Sequence, residues 1–145
     1  MAATKRFMNW TNVTYTPVSG TATTITGVNS VMIDSGGSLA KYAGDGDRYS
    51  TTVVNDYNDP SVTVHAADRA AIRAYPVGTV GTFTSTHNDA RNGASTGAVT
   101  YTLNNAVIAA NSIHGAHRQF GQGMLTLSAF SSDGVTNPLS TSTAT

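Results

Sequence analysis

The clearest signal in this chain is strict alternation of apolar and polar positions, the period of a half-buried strand. Val13 and Tyr15 face one way and Thr14 and Thr16 the other, until Pro17 and Gly20 turn the chain. Ser61–His65 sets Val62 and Val64 against Ser61, Thr63 and His65. Gly97–Leu103 sets Val99, Tyr101 and Leu103 against Thr100 and Thr102. Thr21–Ile33 reads as one strand broken near Gly27, since a glycine inside a strand pattern marks a bulge or a bend. Tyr49–Tyr57 and Gln122–Phe130 add further strands. Asn104–Ile113 is apolar enough for a strand buried on both faces, although its alanines leave a helix open.

The period changes in one place. Within Ser61–Thr86 the chain leaves a strand, turns Ala-rich from Ala66 to Tyr75 and returns to a strand after Pro76 and Gly78. Helical spacing puts Ala71, Ile72 and Tyr75 on one side and Arg69 and Arg73 on another. Asp68 is either the N-cap or the acidic residue of a first turn beginning at His65. A helix of two to three turns is marginal alone, so packing of Ile72 and Tyr75 onto a sheet must hold it.

The pattern predicts a mainly β chain, a β-sandwich or barrel-like single domain over residues 1–145 with about eight strands and one short flanking helix at about residues 67–75. Asp34–Arg48 is the longest stretch without periodicity and reads as a long loop, a length that is usually functional or mobile. Residues 1–10 and 131–145 read as terminal arms.

Composition supports a sheet. The chain has no Glu, no Cys and only two Lys, while Thr and Ser abound, and Thr and Val suit pleated surfaces. Without cysteine there is no disulfide, zinc-thiolate site or thiol nucleophile, which is compatible with a reducing compartment. The opening MAATKRFMNW has charges with no apolar run behind them, so no signal peptide is expected, and no stretch is long enough to span a bilayer.

Only 11% of residues are charged and the formal net charge is zero. A monomer usually keeps a coat of charge, so this chain is expected to cover its surface with copies of itself. A dedicated nucleic-acid binder would need a basic patch, and the sequence has no cluster of Lys and Arg.

The candidate chemical motifs are weak. Gly93-Ala-Ser95-Thr-Gly97 matches the nucleophile elbow G-x-S-x-G, but a polar turn precedes it and a strand follows, so a flexible hairpin tip explains it better. His114 and His117, with His87 as a third ligand, would converge on a metal only in a helix, which Gly115 opposes. Asp45-Gly-Asp47 suggests a calcium loop, yet the bidentate Glu that closes an EF-hand does not exist here. The sequons at Asn9 and Asn12 carry no weight without secretion. Trp10, Tyr42, Tyr49, Tyr57, Tyr75 and Tyr101 fit a carbohydrate-binding face, but periodicity turns Tyr75 and Tyr101 inward and favours core and interface roles. The expectation is no catalytic residue, no cofactor and no metal.

Four segments carry a family resemblance. AGDGDRY at 43–49, SVTVHAADRAAIRAYPVGTVGTFTST at 61–86, DARNG at 89–93 and AHRQFGQGMLTLSAFSSDGVTNPL at 116–139 together resemble the tail tube proteins of tailed bacteriophages, over about two thirds of the chain. That resemblance implies a β-sandwich with a flanking helix, assembled into hexameric rings that share an inner β-barrel. The rings stack into a virion tube that conducts DNA into the host. It further implies a non-enzymatic structural protein made in the host cytoplasm, with itself, other tail proteins at the tube ends and a sheath as partners. Tail terminators, baseplate ring proteins and the secretion-system tube protein share the fold, and a phage decoration or carbohydrate-binding module is the rival of another class.

By the same analogy the loop 34–48 and the arms bridge subunits, and a Thr-rich strand face lines the lumen. Lys41, Tyr42, Asp45, Asp47 and Arg48 of the loop, with Arg69 and Arg73 of the helix, are the candidate interface residues. Tubes of this family are often lined with acidic residues, whereas this chain has eight Asp in all, so no strongly repulsive bore is expected.

Overall fold

A computed structural model describes residues 8–89, 98–118 and 121–143. Ten strands and one helix follow in order: β1 (Met8–Pro17), β2 (Thr23–Thr24), β3 (Val28–Asp34), β4 (Ser38–Tyr42), β5 (Thr52–Tyr57), β6 (Ser61–Ala66), α1 (Arg69–Ile72), β7 (Val80–Asp89), β8 (Val99–His114), β9 (Gln122–Ala129) and β10 (Leu139–Thr143). Eight strands make one antiparallel sheet in the order β2-β1-β7-β8-β9-β6-β3, with β10 beside β8, while β4 and β5 pair with each other. The large sheet curls without closing into a barrel, so that β1 and β3, far apart in strand order, come near each other. The turn at Gly27 makes this possible: φ is +62° there, and Gly27 O accepts from Ala67 N at 2.9 Å. The expected mainly β architecture with one short flanking helix is the one the chain adopts.

Alternation decides which face is the core. Val62, Val64 and Ala66 of β6, Phe83 of β7, and Leu125, Leu127 and Ala129 of β9 point inward and join Val13, Tyr15, Ile25, Val31 and Ile72 in one cluster. Each large apolar side chain buried this way contributes roughly 1.5–3 kcal/mol. Residues 99–103 of the first expected strand and the whole of Asn104–Ile113 belong to a single strand, β8, in which Asn105 has φ +51°. Both Leu103 and Ala106 are therefore buried across the irregularity. Tyr15 secures this point from below: its hydroxyl lies 2.9 Å from Thr79 O and 3.1 Å from Ala106 O and donates to them. Burial, with Tyr75 nearby, pushes the Tyr15 hydroxyl up to about 12.

The helix is shorter than its expected span of 67–75. It covers Arg69–Ile72 and is capped by Arg73. The residues beyond are engaged elsewhere: Tyr75 donates its hydroxyl to Thr21 O at 2.6 Å, while Tyr75 O accepts from Asn111 Nδ2 at 2.9 Å. Those bonds pull the chain out of helical geometry before Pro76. Asp68 is the N-cap, accepting from Ala71 N at 3.2 Å, and its second oxygen accepts from Thr26 N and Thr26 Oγ1 at 3.3 and 3.0 Å.

Four other expectations need correction. Residues 1–10 are not wholly an arm, because β1 begins at Met8 and pairs with β7 from Met8↔Asp89 onward. The stretch 34–48 is not one loop, because Ser38–Tyr42 is strand β4, pairing with β5 from Ser38↔Tyr57 to Tyr42↔Thr52. Residues 131–145 are not wholly an arm, since β10 pairs with β8 from Leu139↔Leu103 to Thr143↔Val99. A segment with one apolar residue shows no alternation, and only the partner strand gives it a register. The break at Gly27 separates two strands, β2 and β3, that lie in different places in the sheet.

Candidate functional site

Two surfaces stand out, and both follow from which side chains the strands leave uncovered. The first is the β4–β5 hairpin. In an antiparallel pair, facing residues share a side, so Ala40, Tyr42, Thr52 and Val54 occupy one face and Leu39, Lys41, Val53 and Asn55 the other. Apolar side chains are exposed on both: Leu39 61%, Val53 55%, Tyr42 60% and Val54 46%. An isolated two-stranded hairpin is marginal in water, and this one has no second layer among the described residues. Its tip is internally tied, with Thr51 N donating to Tyr42 O at 2.9 Å and Gly44 N donating to Asp47 Oδ2 at 3.1 Å. Its base is fixed at Gly36, where φ is +58° and any Cβ would collide with the Asp59 backbone.

The second surface is a ladder of hydroxyls on the outer face of the large sheet. Thr24, Thr14, Thr84, Thr102 and Ser140 stand side by side across β2, β1, β7, β8 and β10. A neighbouring row runs Thr86, Thr100, Ser142, and Thr16 faces Thr82. Thr86 Oγ1 and Thr100 Oγ1 are 3.0 Å apart, a hydrogen bond across the strands. The same face continues as Thr63 beside Thr126 and Ser61 beside Ser128. The rows across β2, β1, β7, β8 and β10 contain hydroxyls and no ionisable group, whereas the continuation over β6 and β9 also carries His65 and ends on β3 at Asp34, which faces Ser61. The residue types were legible in the sequence, whereas the register that lines them up was not.

The seven interface candidates fall on two elements. Lys41 and Tyr42 are on β4, and Asp45, Asp47 and Arg48 are in the turn that follows, all exposed. Arg69 and Arg73 are on α1 and its cap, beside an open cleft of about 700 Å³ lined also by Ala67, Asp68, Ala70 and Ile113. Arg69 is not simply outward, because its guanidinium covers the β8–β9 connection: a Cβ at Gly121 would stand 2.8 Å from its Nη1.

The remaining motifs do not assemble a reaction centre among the described residues. Ser95 lies outside them. His87 stacks on Trp10 with ring centroids 4.8 Å apart, whereas His114 ends β8 at its far end and His117 lies in the turn beyond. No group of three metal-binding side chains occurs among the described residues. Trp10 and Tyr101 pack together at 5.8 Å, so of the aromatic set only Tyr42, Tyr49 and Tyr57 stand exposed, all between β4 and the end of β5. No helix of the described residues is long and apolar enough to cross a membrane. Sequence reasoning did not find the Gly121-Gln-Gly123 seat under α1, for which a G-x-G following a turn was the only available signal.

No family model matches the sequence, and no curated protein matches it. Among solved structures, a chain of the anti-feeding prophage (AFP) baseplate, a 6-fold symmetrised cryo-EM structure, is similar with a TM-score of 0.55 and 9% identity, over 99% of this chain and 98% of that one. A chain from the tail of an empty GTA particle, obtained by helical refinement with C6 symmetry, has a TM-score of 0.49 and 11% identity, over 92% of this chain and 95% of that one. The AFP likeness extends over nearly the whole length of both chains, and it is a likeness of fold.

Proposed function

We propose that this chain is a structural, non-enzymatic subunit of a phage-tail-type particle, made to surround itself with copies of itself in rings. The observation that carries the reading is the β4–β5 hairpin, which exposes apolar side chains on both faces and has no second layer among the described residues, as a strand pair made to be covered by another copy would. The near-absence of charge and the fold shared with a chain of a 6-fold symmetrised baseplate support it. Six copies per ring, stacked into a tail tube that passes DNA, is the finer form of the proposal. In that form the hydroxyl ladder faces the bore, where side chains without charge give a polyanion nothing to bind. A baseplate ring is the second form, favoured by the full-length likeness to the AFP chain.

The two forms separate under the electron microscope. A tube protein gives rings that stack into tubes of open-ended length as concentration rises, whereas a baseplate subunit gives single rings that do not stack. Leu39→Ser with Val53→Ser is expected to abolish assembly while changing the unfolding free energy by no more than about 0.5 kcal/mol, as for other exposed sites. A wild-type protein that stays monomeric at every concentration rejects both forms, and normal assembly of the double variant rejects the hairpin as the contact.

A further inference from the structure

The charges of this molecule are few and unevenly placed. Arg69 and Arg73 border the cleft over α1, and the Arg69 guanidinium also lies against Gly121 at the end of the β8–β9 connection. The one carboxylate lining that cleft, Asp68, already accepts from Ala71 N and from Thr26. The cleft is therefore a basic recess with small walls, Ala67 and Ala70, and an apolar floor contribution from Ile113. Elsewhere, the apex of the β4–β5 hairpin is Asp45-Gly46, with Gly46 at φ +86° turning the chain. Asp47 uses one carboxylate oxygen on Gly44 N, and Tyr49 beside the tip is 78% exposed.

We infer that the hairpin tip of one copy docks in the α1 cleft of a second copy, with Asp45 paired to Arg73 and Tyr49 filling the recess beside Ile113. This inference rests on the ring reading and specifies its contact. The two surfaces are different parts of the same chain, so the contact is head-to-tail: every copy presents a tip and receives one. Such a contact closes into a ring when its rotation closes and otherwise grows into a filament. An apolar hairpin whose turn carries Asp45 and Asp47 against one cation, Arg48, and a small-walled recess edged by two guanidiniums against one carboxylate, Asp68, are complementary in polarity and in net sign, which favours a second copy over a nucleic acid as the occupant.

Charge reversal in trans tests it. Arg73→Asp and Asp45→Arg, each alone, place like charges at the contact and are expected to raise the concentration for half-assembly, read by light scattering, about tenfold or more. An equimolar mixture of the two variants restores opposite signs at every contact and is expected to assemble as the wild type does, with the two chains in equal number. Restoration on mixing also demonstrates that both variants fold. The inference is overturned if either variant alone assembles at the wild-type concentration, or if mixing restores nothing while Trp10 emission shows both folded. It is equally overturned if Arg73→Asp leaves assembly intact and instead removes binding of a short DNA duplex at low salt. Failure of the wild type itself to assemble at any concentration is a different result, because it removes the ring reading as a whole.

Discussion

Ile72 sits directly on Gly123: a Cβ added to that glycine would stand 2.8 Å from Cγ1 of Ile72 and 3.1 Å from its Cβ. The missing side chain is the space in which α1 rests, and Ile72 is the buried residue that fills it.

Gly123→Ala should therefore destabilise the fold by about 1–3 kcal/mol through overpacking, and Ile72→Ala by about 2–5 kcal/mol through the cavity it leaves. The two changes are coupled. In the Ile72→Ala background, Gly123→Ala should cost much less, since the added methyl enters vacated space. Urea unfolding of the four proteins measures the coupling; strictly additive values would show that the helix does not depend on this seat.

The packing of α1 also shows how much of the fold the sequence discloses. Alternation in β6 set Val62 and Val64 apart on one face, and they are buried; the strand expected over Gln122–Phe130 is β9, with Leu125 and Leu127 buried. It worked there because one face meets the core and the other meets solvent. It failed for β4, where Leu39, Tyr42 and their partners on β5 are exposed on both faces, so no pattern of burial could be written into five residues. It failed for β10 because hydroxyl residues lie on both sides of a strand that is defined by its partner. The helix start was legible from Asp68, whereas its early end depends on Asn111 and Thr21, which are remote in sequence and near in space. The interface candidates were located as a charged, aperiodic stretch, and the structure turns that stretch into a projecting hairpin.

Tyr15 makes the fold sensitive to alkali. Its pKa is raised to about 12 by burial, above the value of 10.0 for a free tyrosine. An acid whose folded pKa is raised stabilises the fold below the unfolded pKa and loses that contribution as pH rises through the folded one. Melting temperature should thus fall between pH 10 and about 12 in the wild type. Tyr15→Phe removes that part of the fall and, by deleting the buried hydroxyl that bonds Ala106 O and Thr79 O, the latter keeping Ile108 N as a donor, costs about 1 kcal/mol at neutral pH. Parallel pH profiles for the two proteins would count against the assignment.

Asp68 acts at the opposite limb. The hydrogen bond from Ala71 N, then those from Thr26, hold its carboxyl below the ordinary value of 3.8. A depressed pKa contributes stability above the unfolded value and loses it as pH falls through the folded one, so the contribution disappears below about pH 4. Asp68→Ala is expected to cost about 1–2 kcal/mol at neutral pH, as loss of an N-cap does, and to leave the acid limb flatter. Thermal melts from neutral to acid pH would show both effects; an unchanged neutral melting temperature would mean that the cap and the tie to Thr26 contribute nothing.

The strand order has a consequence in time. β1 pairs with β7, joining Met8 to Asp89, and every residue between them must be in hand before that pairing forms. Sheets dominated by such remote pairings belong to the slow folders, in milliseconds to seconds. The β4–β5 hairpin is one of the local pairs, with β1–β2, β7–β8 and β8–β9, whose partners are near neighbours in sequence, and hairpins close in about 1–10 μs. During synthesis both strands of the hairpin are therefore present before β7, which closes the body that carries it. An apolar hairpin that is exposed until β7 and β8 arrive is open to association with other unfinished chains, so the rate of expression joins the final stability in deciding between ordered product and aggregate.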